Sequence, residues 1–133
     1  ISEALEAELE SSAGPVWAWC RVVELIGSRS SRWSRTLRSK WVNRFFEFMA
    51  SATIEQKKSI CLEVVPSSRS FSIVEAIVDC LDSPDGELRA IAAQALARIS
   101  RQRTIVNPEF WKHAPANLRQ QEIDIWRESL KQN

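Results

Sequence analysis

Residues 27–41 read GSRSSRWSRTLRSKW and hold Arg29, Arg32, Arg35, Arg38 and Lys40, with Trp33 and Trp41 interleaved and no acidic residue among them. A guanidinium is a planar fork that fits a phosphate, and an indole can stack on a base, so the composition is that of a phosphate-backbone contact. The four arginines recur every third residue; on a helix they would drift slowly round one side. The same residues equally suit a solvated connection and helix start, paired with Glu3, Glu6, Glu8 and Glu10. Exposed pairs of that kind contribute about 0–1 kcal/mol each. A phosphorylated serine within the run would cancel its positive charge. The polar connection is the first reading, and nucleic-acid binding through the basic segment 29–44 is the alternative.

Other chemistry finds little to work with. His113, in WKHAP, is the only histidine. Metal binding needs several converging N, S or O ligands, and no C-x-x-C or H-x-x-x-H is present. A Ser or Cys nucleophile needs a base and an orienting group, and His113 alone could be that base. Gly14, Gly27 and Gly86 are isolated, so no glycine-rich loop cradles a phosphate. The carboxylate pairs Asp79 with Asp82 and Asp82 with Asp85 have helix-end explanations. The expectation is a non-enzymatic chain with no catalytic, metal or cofactor-binding residues and no small-molecule substrate. Six tryptophans are many for this length. Trp19, Trp41 and Trp126 fall at helical spacing and are expected in the core. Trp17, Trp33 and Trp111 do not, and exposed aromatics bury large area at small entropic cost. Trp17 and Trp111 are therefore candidate protein contacts, and Trp33 a candidate within the basic segment.

The elements that must position these residues are helices. A chain of 133 residues is one domain's worth, and 44% hydrophobic with 26% charged residues is globular composition. Net charge is +1, so any electrostatic function must be local. Three glycines and five prolines are too few for the turns a sheet requires. Ala, Leu, Glu, Arg and Gln are abundant, which favours helix. Cys20, Cys61 and Cys80 are odd in number, widely spaced and embedded in apolar helical patterns. A disulfide framework is not expected; an intracellular, cytoplasmic or nuclear location is. No apolar run reaches the roughly 18 residues of a membrane span. The first residue is Ile, as expected of a segment cut from a larger protein.

Apolar periodicity and punctuation place seven to eight helices. Residues 2–12 and 15–26 form the first two, the latter ended by Gly27. Residues 36–50 follow, with Leu37, Trp41, Val42, Phe45 and Met49 on one stripe. Thr53-Ile54-Glu55-Gln56 has the form of a capping box opening a helix over 54–65, which Pro66 ends. Ile73, Val74, Ile77, Val78 and Leu81 mark the next, and Ser83-Pro84-Asp85-Gly86 turns the chain into another over 87–101. Asn107-Pro108 starts a short helix. The last spans 116–131, with Leu118, Ile125, Trp126 and Leu130 as its stripe.

Two of these pairs are alike. Shifting the chain by 32 residues lays Trp41, Val42, Phe45, Phe46 and Met49 on Ile73, Val74, Ile77, Val78 and Leu81. Shifting by 34 lays Ile54, Cys61, Leu62 and Val65 on Leu88, Ala95, Leu96 and Ile99. The difference falls in the turn within each pair, where insertions are tolerated. The second pair, FSIVEAIVDCLDSPDGELRAIAAQALARIS at 71–100, resembles the HEAT repeat family through Leu81-Asp82, the SPDGELR turn and the alanines 92, 93 and 95. The first pair departs from it, with Glu55 where Arg would stand. The resemblance implies that Asp82, Asp85 and Arg89 tie neighbouring repeats together. It implies an all-α fold of stacked antiparallel helical hairpins, a HEAT/ARM-like α-solenoid segment. The hairpins would cover about 36–66 and 70–101, flanked by helices in 1–27 and 107–131, all within a single domain over 1–133. The implied function is protein–protein interaction or scaffolding, the partner being another protein or another domain of the parent chain.

Overall fold

The computed structural model describes residues 19, 21–22, 35–63, 71–100 and 102–132. Among them are six helices and no strand: α1 (Arg35–Ser51), α2 (Ile54–Glu63), α3 (Phe71–Cys80), α4 (Gly86–Ile99), α5 (Pro108–His113) and α6 (Ala116–Lys131). The helices expected over 2–12 and 15–26 lie outside the described residues, apart from Trp19, Arg21 and Val22, which are helical. None of the described helices is long and apolar enough to cross a membrane.

Local chemistry starts the helices where the sequence places them. Thr53 and Gln56 close the capping box: the Thr53 N–H donates to Gln56 Oε1 at 2.9 Å, and the Gln56 N–H to Thr53 Oγ1 at 3.1 Å. Asp85 caps α4, accepting from the Leu88 N–H at 2.8 Å. Asn107 caps α5, accepting from the Glu109 N–H at 3.0 Å, with Pro108 in the first turn. Each cap satisfies a backbone donor that the helix itself leaves orphaned.

Packing centres on α3 and α4. Helix α4 lies against α2, α3 and α5, while α3 also meets α1 and α6. On α4 the neighbours can approach closely, because Ala90, Ala92, Ala93 and Ala95 are small and all buried. Helix α3, also set among three neighbours, is apolar almost all round, with Ile73, Val74, Ala76, Ile77, Val78 and Cys80 buried. The contacts sort the helices into two sets: α1, α3 and α6 touch in series, as do α2, α4 and α5. The first two pairs therefore match helix for helix, α1 on α3 and α2 on α4. The third reverses the order, because α5 stays beside α4 and α6 returns to α3.

Trp41, Phe45, Phe48 and Met49 carry α1 into the core, where the Trp19 ring stacks on Phe48 at 4.9 Å and meets Trp41 edge-on at 6.3 Å. Two stripes differ from expectation. On α6 the buried residues are Ile123 and Trp126, with Leu130 partly buried, whereas Leu118 and Ile125 are 42% and 55% exposed. Ile123, Trp126 and Leu130 follow the 3–4 spacing of one face, from which Ile125 departs. On α2, Ile60 and Cys61 are buried and Leu62 is exposed.

Candidate binding groove

Helix α3 ends in three successive short backbone bonds, from Leu81 N to Val78 O, Asp82 N to Asp79 O and Ser83 N to Cys80 O, at 3.0–3.3 Å. This tightened turn holds Asp79 and Asp82 at the exposed end of the helix. Arg127 of α6 reaches both, its Nη2 standing 3.6 Å from Asp79 Oδ1 and 3.8 Å from Asp82 Oδ2. Beside that ion pair opens a groove of about 650 Å³. Phe46, Met49 and Ala50 of α1, Ile54 of α2 and Ala76 of α3 supply its apolar surface; Lys57, Asp79, Asp82 and Arg127 supply charge, and Cys80, Ser83 and Pro84 complete it. A second hollow of about 230 Å³ between α3 and α6 is lined by Phe71, Val78 and Leu130, with Glu75 and Lys131. Asp79 and Arg127 belong to the walls of both.

Apolar and charged side chains thus share the walls of both hollows. His113 is at the far end of α5, exposed, with Nε2 3.4 Å from Glu109 Oε2. No three His, Cys, Asp or Glu side chains gather as a metal site among the described residues.

The SPDGELR turn braces α4 against α5. Arg89 is buried, and its guanidinium donates from Nε to Trp111 O at 2.7 Å, from Nη1 to Ser83 O at 2.7 Å and from Nη2 to Lys112 O at 3.2 Å. It thus joins its own turn to the last turn of α5, whose carbonyls form the negative end of that helix. Burial, and then the neighbouring Arg119, lowers the pKa of the Arg89 guanidinium from its ordinary value. Gly86 makes the approach possible: a Cβ there would stand 3.2 Å from both Lys112 Cα and Arg89 Nη2. Asp85 is both the α4 cap and a neighbour of Lys58 Nζ at 3.8 Å, and Lys58 also meets Glu87 at 3.4 Å, fastening α2 to α4. Asp82 pairs with Arg127 of α6 and lines the groove.

Of the basic segment, Arg29, Arg32 and Trp33 lie outside the described residues, as does Trp17. Arg35 is exposed at the start of α1, and Arg38 and Lys40 are half-buried. Lys40 Nζ and the Arg44 guanidinium lie 5.4 Å and 5.7 Å from the centre of the buried Trp41 ring, as cation–π contacts do. Trp111, expected among surface contacts, is instead fully buried, its indole N–H donating to Ile105 O at 2.6 Å. A short helix against α4 leaves no solvent-facing side for that ring. Trp126 does the same for the preceding loop, donating to Thr104 Oγ1 at 3.1 Å. Trp19, Trp41 and Trp126 are in the core as expected.

The groove residues escape sequence reasoning because no local pattern marks them. Arg127 follows a core tryptophan on a polar helix, and only the return of α6 to α3 brings it to Asp79 and Asp82. Compared with protein-family models, with curated proteins and with solved structures, the chain matches none.

Proposed function

We propose that this chain is a non-enzymatic helical scaffold domain that holds a segment of another protein, or of its own parent chain, along the two hollows beside Asp79 and Arg127. The observation that carries this reading is the shared wall: two partly apolar hollows have Asp79 and Arg127, an exposed ion pair, in common. A segment with two apolar side chains about a polar one fits that pattern. Each anchor buried contributes about 1.5–3 kcal/mol, and the ion pair sets register. The HEAT-like character of 71–100, together with α1 on α3 and α2 on α4, supports an extended repeat surface.

Placing a photo-crosslinking side chain at exposed Ala50, inside the larger hollow, tests the proposal, with exposed Gln94 on α4 as control. Protein adducts from position 50 and not from 94, lost in Asp79→Lys, are expected. Equal labelling at both positions, or recovery of nucleic acid in place of protein, overturns it.

A second reading, nucleic-acid binding, is favoured by α1, where Arg35, Arg38, Lys40 and Arg44 precede the first acid, Glu47. It requires affinity that falls steeply with salt and losses in Arg32→Ala, Arg35→Ala and Arg38→Ala. Absence of binding to labelled DNA and RNA at low salt ends it.

A further inference from the structure

Helices α1, α2 and α3 each turn one face to the larger groove: Phe46 and Met49 on α1, Ile54 and Lys57 on α2, Ala76 and Asp79 on α3, each pair three residues apart. Four charged side chains line it, Lys57, Asp79, Asp82 and Arg127, and they are not equivalent. Arg127 is taken up by Asp79 and Asp82, at 3.6 Å and 3.8 Å. Lys57 is half-buried and, among the described residues, meets no carboxylate. Its neighbour shows the contrast. Lys58, turned about 100° further round α2, meets Glu55, Asp85 and Glu87.

An apolar side chain seated against Phe46, Met49 and Ile54 draws its own backbone across Lys57 and shuts out water. An ammonium covered without a counter-ion is strongly unfavourable, so whatever fills the groove must bring an anion to Lys57. At the α3 wall the balance is opposite. Asp79 and Asp82 share one guanidinium, and the surplus negative charge repels acid there. The groove thus accepts acid at the α2 wall and rejects it at the α3 wall.

Taking the groove as the seat of a protein segment, the reading on which this inference rests, we propose that the segment is an acidic–apolar peptide of a partner protein. An Asp or Glu side chain pairs with Lys57, and an adjacent apolar side chain packs on Phe46, Met49 and Ile54. The pairing contributes more to the choice and register of the partner than to raw affinity.

A random peptide library displayed on phage is selected on the folded chain. Enriched peptides are then made with a fluorescent label and titrated by polarisation at low and high salt. Expected is enrichment of peptides with Asp or Glu beside a Leu, Ile, Met or aromatic residue. Their affinity is expected to fall about tenfold in Lys57→Glu, and to lose most of its salt dependence in Lys57→Gln. Selection on Lys57→Glu is expected to enrich Lys or Arg in place of the acid. Enriched peptides without acid, or an affinity changed by less than about twofold in Lys57→Glu, overturn the inference. Ala50→Trp, which fills the same groove, separates this failure from failure of the groove itself. Peptides lost in Ala50→Trp but kept in Lys57→Glu leave a protein-binding groove and sink the acidic partner. Peptides kept in both, or no enrichment at all, sink both. Because the consensus is read on the native chain, the outcome stands even where a variant fails to fold.

Discussion

Arg89, in the first turn of α4, donates from Nε to the main-chain carbonyl of Trp111 in α5 at 2.7 Å. The bond joins two helices through a buried fork rather than through side-chain packing alone, and the same fork takes Ser83 O and Lys112 O. Replacing Arg89 by Ala removes all three donors at once. Hydrogen bonds from charged groups contribute about 1.5–3 kcal/mol each when unscreened, and their losses do not add fully. Arg89→Ala is expected to lower unfolding free energy by about 2–4 kcal/mol, read as a fall in the urea midpoint. Arg89→Lys is expected to recover less than half, since one ammonium cannot span three carbonyls.

Gly86 tests the same joint from the other side. Its added Cβ would meet Lys112 Cα, a backbone atom held in place by Arg89. Gly86→Ala is expected to destabilise by about 1 kcal/mol in spite of Ala's better helix propensity. The cost is expected to shrink in the Arg89→Ala background, where α5 can move away; a double-mutant cycle measures the coupling.

Asp85 and Asp82 should part company. Asp85 caps α4, so Asp85→Ala is expected to cost about 1 kcal/mol in thermal or urea unfolding. Asp82 is an exposed member of the Arg127 pair. Asp82→Ala is expected to cost under about 0.5 kcal/mol while weakening partner capture from position 50.

Lys58 carries a pH signature. Burial works against its charge, but hydrogen bonds to Glu55 and Glu87 and the field of Asp85 outweigh that and hold its ammonium above the ordinary value of 10.5. A group raised on folding stabilises fully below its unfolded pKa and loses that contribution as pH rises through the folded one. The stability difference between the native chain and Lys58→Met is therefore expected to be constant from pH 7 to about 9.5 and to shrink above the ordinary lysine range. Parallel urea titrations across that interval check it.

Trp111 separates packing from recognition. Trp111→Phe keeps most of the ring volume but strands the Ile105 carbonyl that its indole N–H meets. The expected loss is about 1–3 kcal/mol of stability, with crosslinking from position 50 unchanged at temperatures where the variant stays folded.

The legible part of this fold is local. Thr53 and Gln56, Asp85 with Leu88, and Asn107 with Pro108 announce helix starts because capping joins residues two or three apart. The helices expected over 36–50, 87–101 and 116–131 appear as Arg35–Ser51, Gly86–Ile99 and Ala116–Lys131. Arg89 can be singled out from its turn. Trp111 departs from expectation because an off-stripe tryptophan on a six-residue helix has no periodicity to read.

By itself the sequence determined the helical character of the described residues, the caps and breaks that divide them, the likeness in pattern between the two central pairs, and the alanines that make α4 narrow. Tertiary structure alone decided that α6 returns to α3 while α5 stays with α4. That crossing sets Arg127 beside Asp79 and Asp82, buries Trp111, and creates the paired hollows. The division has one physical cause. Helix propensity and capping act over a single turn, whereas partners from separate helices are selected only when packing has closed the chain between them.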